Sequence, residues 1–339
     1  MAGNSITIAG AGIVGLWQAL TLAKRGHRVR LYERSTVPFA ESSSQWAGAM
    51  IAPECESESA PQIVRDLGRQ SLALWRATYS GMMENGTLVV AAVRDRSELT
   101  RFQRMTENHQ LLHATRLEAL EPQLADRFDA ALYFAGEAHM DAGIALAALL
   151  AKVQAAGVDV RLGQFHARED GDTLIDCRGM AAAADIPGLR GVRGERIVVH
   201  APEVNLSRPV RLLHPRQPIY VVPQGGGIFV IGATVIERED EGAVTVRSAL
   251  ELLGSAFALH PGFAEASIRH LGAGVRPAFA DNTPRILIEE SARTIRVNGM
   301  YRHGFLLAPI MADAVAAYIA DGTRHALMMP TDGAIKLPM

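Results

Sequence analysis

The chain has 339 residues, 48% of them hydrophobic and 21% charged, with a formal net charge of -2. That length and apolar content suit two domains or one large core, and the near-neutral balance excludes a general attraction to nucleic acid or anionic membranes. Two cysteines, Cys55 and Cys177, are too few for a disulfide framework, so a reducing, cytoplasmic location is expected.

Residues 5–9 read as a short strand with Ile6 and Ile8 on one face. Gly10, Gly12 and Gly15 follow. The first two permit a tight turn and close approach of backbone to a pyrophosphate, and the third lets the helix over 16–25 pack on the strand. Gly26 stops that helix. A second strand over 28–32 ends on Glu33, 18 residues past Gly15, where a carboxylate suits an adenosine ribose and repels the 2′-phosphate of NADP. The whole unit is far more specific than its glycines alone, and it leaves NAD and FAD both open. Residues 6–23 are apolar but lack a basic leader and are broken by glycines and Gln18, so neither a secretory segment nor a membrane span is expected.

Residues 41–56 (ESSSQWAGAMIAPECE) form a loop of small residues; Ser42, Ser43 and Ser44 offer hydroxyls and N–H groups either to a ligand or as a helix N-cap. Residues 62–83 are helical in pattern, with Ile63, Leu67, Leu72, Leu74 and Trp75 as the expected buried set. HQLLH (109–113) spaces two histidines four apart, but no glutamate or third ligand accompanies them, so a solvated helix face and no metal site are expected. An Ala/Leu-rich helix over 142–156, stopped by Gly157, leads into a strand over 158–162. Residues 219–237 carry two alternating apolar runs around a glycine cluster, a hairpin signal, and a helix ends before Pro261. A strand through Val297 then enters a loop with Arg302 and His303, followed by a helix with Pro309 near its first turn and Gly322 past its end. Its N-terminus is a ready anion site.

Taken in chain order, GAGIVGLWQALTLAKRGHRVRLYER, SSSQWAGAMIAPECE, IDCRGMAA, LRGVRGE, RPVRLLHPRQPIYVVP, IGATVIE, GAGVRPAFADNTPRI and NGMYRHGFLLAP resemble the D-amino-acid-oxidase-type flavoproteins, and within them the glycine oxidases of thiamine biosynthesis. The resemblance decides for FAD. It implies an α/β fold with a Rossmann-like FAD-binding domain from residues 1–80, 141–190 and 270–339. A substrate domain of α+β type, on a mixed, largely antiparallel sheet, takes residues 81–140 and 191–269. It implies oxidation of glycine, sarcosine or short D-amino acids to an imine, then 2-oxo acid and ammonia, with O2 reduced to hydrogen peroxide. A homo-oligomer is also implied.

Carried over by position, Gly10, Gly12, Ile13, Val14, Gly15, Glu33 and Arg34 fall on the adenine side. Ser42, Ser43, Ala47, Gly48 and Ala49 match the segment near the pyrophosphate and flavin ring. A backbone contact is placed near His166. Met300, Tyr301, Arg302, His303, Gly304, Phe305 and Leu306 run beside the flavin's pyrimidine end. Arg276 matches the arginine that holds the substrate carboxylate, with Arg302 and Tyr220 as further pocket groups.

Hydride transfer from a positioned substrate needs alignment rather than a base, so His303 and His214 are read as structural. From the residue alone, Arg276 reads as a surface ion pair; the resemblance turns it to carboxylate binding, for which a guanidinium fork is suited. The N-terminus of the helix near Pro309 is placed to stabilise charge on reduced flavin. Gln224 departs from the basic residue common after Pro223 in related sequences. No cysteine is placed for covalent attachment, so FAD is expected to be non-covalent. Two other functions stay open: a D-amino acid or cyclic amine dehydrogenase passing electrons to a quinone or protein, and a non-catalytic flavin-binding subunit.

Overall fold

Strand Ser5–Ala9 is almost wholly buried and lies inside a seven-stranded sheet, where an apolar strand can be covered on both faces. The computed structural model describes residues 4–331 apart from 167, 168 and 170. The ends of the expected flavin segments at 1–3 and 332–339 lie outside the described residues. Arg28–Glu33 and Thr173–Asp176 flank the first strand in parallel, the former reached by the crossover helix Ile13–Lys24. The full order is Met328–Pro330, Arg285–Glu289, Thr294–Asn298, Thr173–Asp176, Ser5–Ala9, Arg28–Glu33, Asp159–Leu162. Only the hairpin of Arg285–Glu289 and Thr294–Asn298 is antiparallel.

A second, eight-stranded sheet runs Ser267–Ala278, Arg190–His200, Ile228–Gly232, Ile219–Gly225, Val210–Leu213, Thr87–Ala91, Ala130–Phe134, Gln110–His113. It is antiparallel except where Val210–Leu213 lies beside Thr87–Ala91. Helix Val246–Leu259 closes a core on it through Leu252, Ala256 and Leu259, packed with Ile197, Val199 and Ile231. The expected α/β class with a mixed, largely antiparallel second sheet is what the chain adopts.

Four expectations need correction. Ser267–Ala278 pairs with Arg190–His200 along its whole length, so a boundary at 270 falls inside a strand and the second sheet extends to Ala278. The helix expected over 62–83 spans Gln62–Thr78 and stops where Tyr79 turns extended; Val64 is buried in it, and Ile63 and Leu74 are only half-buried. HQLLH is no helix face. Gln110–His113 is an edge strand on Ala130–Phe134, and the His109 ring packs 5.6 Å from that of Phe134, sheet pairing overriding a helical spacing.

The last helix is Gly304–Asp321, so Pro309 sits inside it rather than in its first turn. Proline has no N–H, which leaves the carbonyl four residues back, that of Phe305, without its helical donor. The Trp75 indole N–H supplies the missing hydrogen bond at 2.8 Å, with its ring stacked on Phe305. The helix is long and apolar enough to cross a membrane by length and composition. Its buried residues pack against Ile13–Lys24 and Gln62–Thr78, the latter approaching so closely that a Cβ on Gly68 would meet Leu306 at 2.8 Å.

Replacing Trp75 by Phe keeps an aromatic ring but strands the Phe305 carbonyl, which should cost about 2–3 kcal/mol in denaturant unfolding. Pro309→Ala restores a helical donor. The Trp75→Phe/Pro309→Ala double variant should therefore recover part of that loss, and strict additivity in the cycle would contradict this account.

Candidate active site

The parallel strands Ser5–Ala9, Arg28–Glu33, Thr173–Asp176 and Thr294–Asn298 all point their carboxyl ends at one cavity of about 1320 Å³, the place where open α/β sheets bind ligands. Each turn glycine there has its own reason. Gly10 has φ +95°, and a Cβ would lie 2.7 Å from the Cys177 carbonyl oxygen; a Cβ on Gly15 would lie 1.8 Å from that of Gly10. Gly12 begins the helix with no side-chain cap, and a Cβ there would crowd the Ser42 hydroxyl at 2.9 Å. Glu33 accepts from the Ala11 N–H at 2.9 Å and the Ser35 N–H at 3.2 Å, which holds its carboxylate at the turn.

Every other candidate residue lines this cavity: Gly10, Gly12, Ile13, Val14, Glu33, Arg34, Ser42, Ser43, Ala47, Gly48, Ala49, His166, Tyr220, Arg276 and the run from Met300 to Leu306. Gly15 does not; it acts beneath the turn. Arg34 reaches out to pair with Glu41. In the serine loop, Ser42 caps the short 3-10 turn Ser43–Trp46 by accepting from the Ser44 N–H, which is the N-cap reading, and the loop lines the cavity. Ser44 does more than its neighbours suggested, since its hydroxyl accepts from the Ile13 N–H at 3.1 Å.

From the second sheet, Arg276 projects over Gly194, where a Cβ would lie 2.0 Å from the guanidinium. Its Nη1 donates to the Thr234 carbonyl at 3.2 Å, and no carboxylate stands within ion-pair distance of it among the described residues. The expected surface ion pair is therefore absent. Burial pulls its pKa down to about 10, still fully charged at neutral pH. Tyr220 accepts from Arg211 Nη1 at 3.0 Å, leaving its own proton to donate, and burial pushes its pKa well up.

Arg302 is less free than expected. Its Nε donates to Glu56 Oε2 at 2.7 Å, and Nη2 donates to the Ser59 hydroxyl. His303 lies beside the same carboxylate, Nδ1 at 3.4 Å. Burial pulls its pKa down to about 4; Glu56 opposes this, while Arg302 and Arg276 assist. It is thus neutral at pH 7. Burial would raise Glu56, but Arg302, His303 and Arg211 hold it below its usual value. The Tyr301 N–H donates to the Pro277 carbonyl at 2.7 Å, joining this loop to the Arg276 strand.

Sequence reasoning missed Glu56, Gly194, Arg196 and Trp46. Arg196 donates to the carbonyls of Gln45 and Ala47, at 2.6 and 3.0 Å, and lies over the Trp46 ring. Trp46 fills the hollows at Gly272 and Gly274, where Cβ atoms would lie 2.1 and 2.9 Å from it. The repeated glycines of LRGVRGE and HLGAG were the available signal.

Residues 5–318 match the family described as FAD dependent oxidoreductase, DAO. The chain belongs to this family. It is 50% identical over 313 residues, covering 92% of this chain and 95% of the other, to a Rhizobium etli protein named as a candidate thiamine biosynthesis oxidoreductase, ThiO. It is 27% identical to a Geobacillus kaustophilus glycine oxidase over 92% of this chain and 91% of that one. The crystal structure of glycine oxidase from that organism superposes with a TM-score of 0.79 at 24% identity, covering 96% of each chain. The chain is accordingly an FAD-dependent oxidoreductase, and the site fits that cofactor: the glycine turn, the held Glu33 carboxylate and the N-terminus of helix Gly304–Asp321 all face one cavity.

Gly194→Ala should displace the Arg276 guanidinium while leaving the fold, lowering affinity for a carboxylate ligand such as propionate about tenfold or more by calorimetry. The buried His303 makes a pH prediction. Its folded pKa of about 4 lies below the unfolded value near 6.5, so the unfolded chain binds more protons between these limits. Stability contributed by His303 falls as pH drops from 6.5 to 4, by an amount of order 3 kcal/mol. A His303→Gln variant should flatten the stability profile across that window; an unchanged slope would count against the assignment.

Proposed function

We propose that this chain oxidises glycine and related small amino acids, sarcosine and short D-amino acids, at the amine-bearing carbon, and that the resulting imine serves the thiazole of thiamine. The observation that carries this is Arg276: a half-buried cation on the cavity wall, held by one carbonyl and a glycine hollow, with no carboxylate of its own among the described residues. Such a group is compensated when a ligand carboxylate meets its fork. Tyr220, with its acceptor lone pair occupied by Arg211, is positioned to donate a second hydrogen bond to that carboxylate.

When bound, FAD supplies the oxidant, taking a hydride equivalent from the substrate carbon and returning the electrons to O2 as hydrogen peroxide. The chain's own residues do the rest. Gly10, Gly12 and the N-terminus of Ile13–Lys24 would hold the pyrophosphate, and Glu33 the ribose. The N–H groups of Gly304, Phe305 and Leu306, at the positive end of their helix and on the cavity wall, would stabilise negative charge on a flavin held there. Neutral His303 adds no competing charge. With the substrate bound as its neutral amine, loss of hydride from the carbon leaves an iminium directly, so no side chain need act as base; the iminium gives up a proton to water and ammonia is lost by hydrolysis after release.

Attachment of the cofactor is non-covalent in this reading. Cys177 lines the cavity, but burial and then the Asp176 charge push its thiol well up, making it a poor nucleophile. Cytoplasmic location, in keeping with two buried free thiols, and homo-oligomeric assembly belong to the same proposal.

Anaerobic mixing of the yellow protein with glycine, sarcosine and D-alanine tests it. Bleaching followed by reoxidation in air with stoichiometric peroxide is expected; bleaching with little peroxide would move the assignment to a dehydrogenase. Arg276→Ala should lower kcat/KM for glycine about 10²–10³-fold, the loss of a charge-assisted fork, without releasing the flavin.

A further inference from the structure

Three arginines gather on the inner wall of the cavity: Arg211, Arg276 and Arg302. Two of them carry their own counter-ion. Glu58 Oε2 lies 3.1 Å from Arg211 Nη2, and Glu56 Oε2 lies 2.7 Å from Arg302 Nε. Arg276 alone of the three has none among the described residues. Arg302 is held close to Arg276 by backbone: the N–H of Tyr301, the residue before it, donates at 2.7 Å to the carbonyl of Pro277, the residue after Arg276, and the electrostatics agree, since Arg302 lowers the Arg276 pKa and Glu56 raises it. Glu56 therefore lies within the field that an Arg276-bound ligand experiences. It also stands on the cavity wall itself, at the end of the short helix Pro53–Glu56.

We propose that Glu56 is a charge cap that confines the site to substrates bearing one carboxylate. A second carboxylate on the ligand needs a second cation. Arg302, on the loop bonded to the Arg276 strand, is the neighbouring cation available for it, and Glu56 both occupies its Nε donor and repels an incoming anion. D-Aspartate, which is D-alanine with one added carboxylate, is thereby discriminated against although it is small enough for the cavity. Removing the charge from Glu56, while keeping a hydrogen-bond acceptor for Arg302 Nε, turns the monocarboxylate site into one with two cations not neutralised by a carboxylate, Arg302 offering its Nη groups. This inference rests on reading Arg276 as the carboxylate anchor.

The test uses oxidised holoenzyme and two ligands that differ by one carboxylate, propionate and succinate, titrated calorimetrically into wild type, Glu56→Gln and Glu84→Gln. The last removes one carboxylate from the exposed Arg76–Glu84 pair, so it makes the same change in net charge far from the cavity. The succinate-to-propionate affinity ratio should rise about tenfold or more in Glu56→Gln and stay at the wild-type value in Glu84→Gln. The kcat/KM ratio for D-aspartate over D-alanine should rise in parallel. The Glu56→Gln/Arg302→Met double variant restores charge balance and should lose the gain. An unchanged ratio in Glu56→Gln, equal weakening of both ligands, or a gain that survives removal of Arg302 would each overturn the proposal. Flavin reduction by amines tests the oxidase reading separately, and the succinate-to-propionate ratio decides the cap whichever amine is oxidised.

Discussion

A single proline inside Gly304–Asp321 creates the constraint on which the site's geometry depends. Pro309 withholds a donor from the Phe305 carbonyl, and the Trp75 indole replaces it. The hydrogen bond ties Gln62–Thr78 to the first turn of the helix whose Gly304, Phe305 and Leu306 line the cavity. An unpaired buried carbonyl costs about 1–3 kcal/mol, so the first turn cannot drift from Trp75 without that penalty. The start of the helix, where the backbone dipole is most useful to a bound anion, is thus set by side-chain chemistry 230 residues earlier in the chain.

Charge in the cavity is arranged by elimination. Most of the inner groups are neutralised in pairs: Arg302 by Glu56, Arg211 by Glu58, Arg178 by Asp176 and Asp185. His303 is held neutral by burial. Against this compensated wall Arg276 and Arg196 are the two cations held by backbone carbonyls and not by a carboxylate among the described residues, Arg196 beneath the Trp46 loop and Arg276 over Gly194. Burial of a charge without a partner is costly. Gly194 and the Thr234 carbonyl hold the Arg276 guanidinium in place without neutralising it, which keeps its attraction available to a ligand.

Much of this was legible beforehand because the nucleotide turn is local. Gly10, Gly12, Gly15 and Glu33 act within one strand–helix–strand unit, so their roles follow from spacing. The cavity-lining runs at 42–49 and 300–306 were legible through resemblance, as neither has a periodicity that announces a function. Glu56 and Arg196 were not, because their meaning lies in partners 246 and 149–151 positions away. The helix start at Gly304 was missed for a related reason: Pro309 reads as a start signal, and only the distant Trp75 makes it tolerable five residues further in. HQLLH failed differently, its helical spacing yielding to pairing with a neighbouring strand.

Trp46 has a mechanical consequence. Its indole is seated in the hollows of Gly272 and Gly274, its ring stacks on His270 at 4.9 Å, and Arg196 grips the carbonyls on either side of it. The loop over the nucleotide turn is therefore latched to the same strand that carries Arg276. Loop and sheet move together, so the gap between the nucleotide turn and Arg276 behaves as a fixed jaw rather than a hinge. A bulkier residue at Gly272, remote from any reacting atom, would work as a wedge that alters that gap.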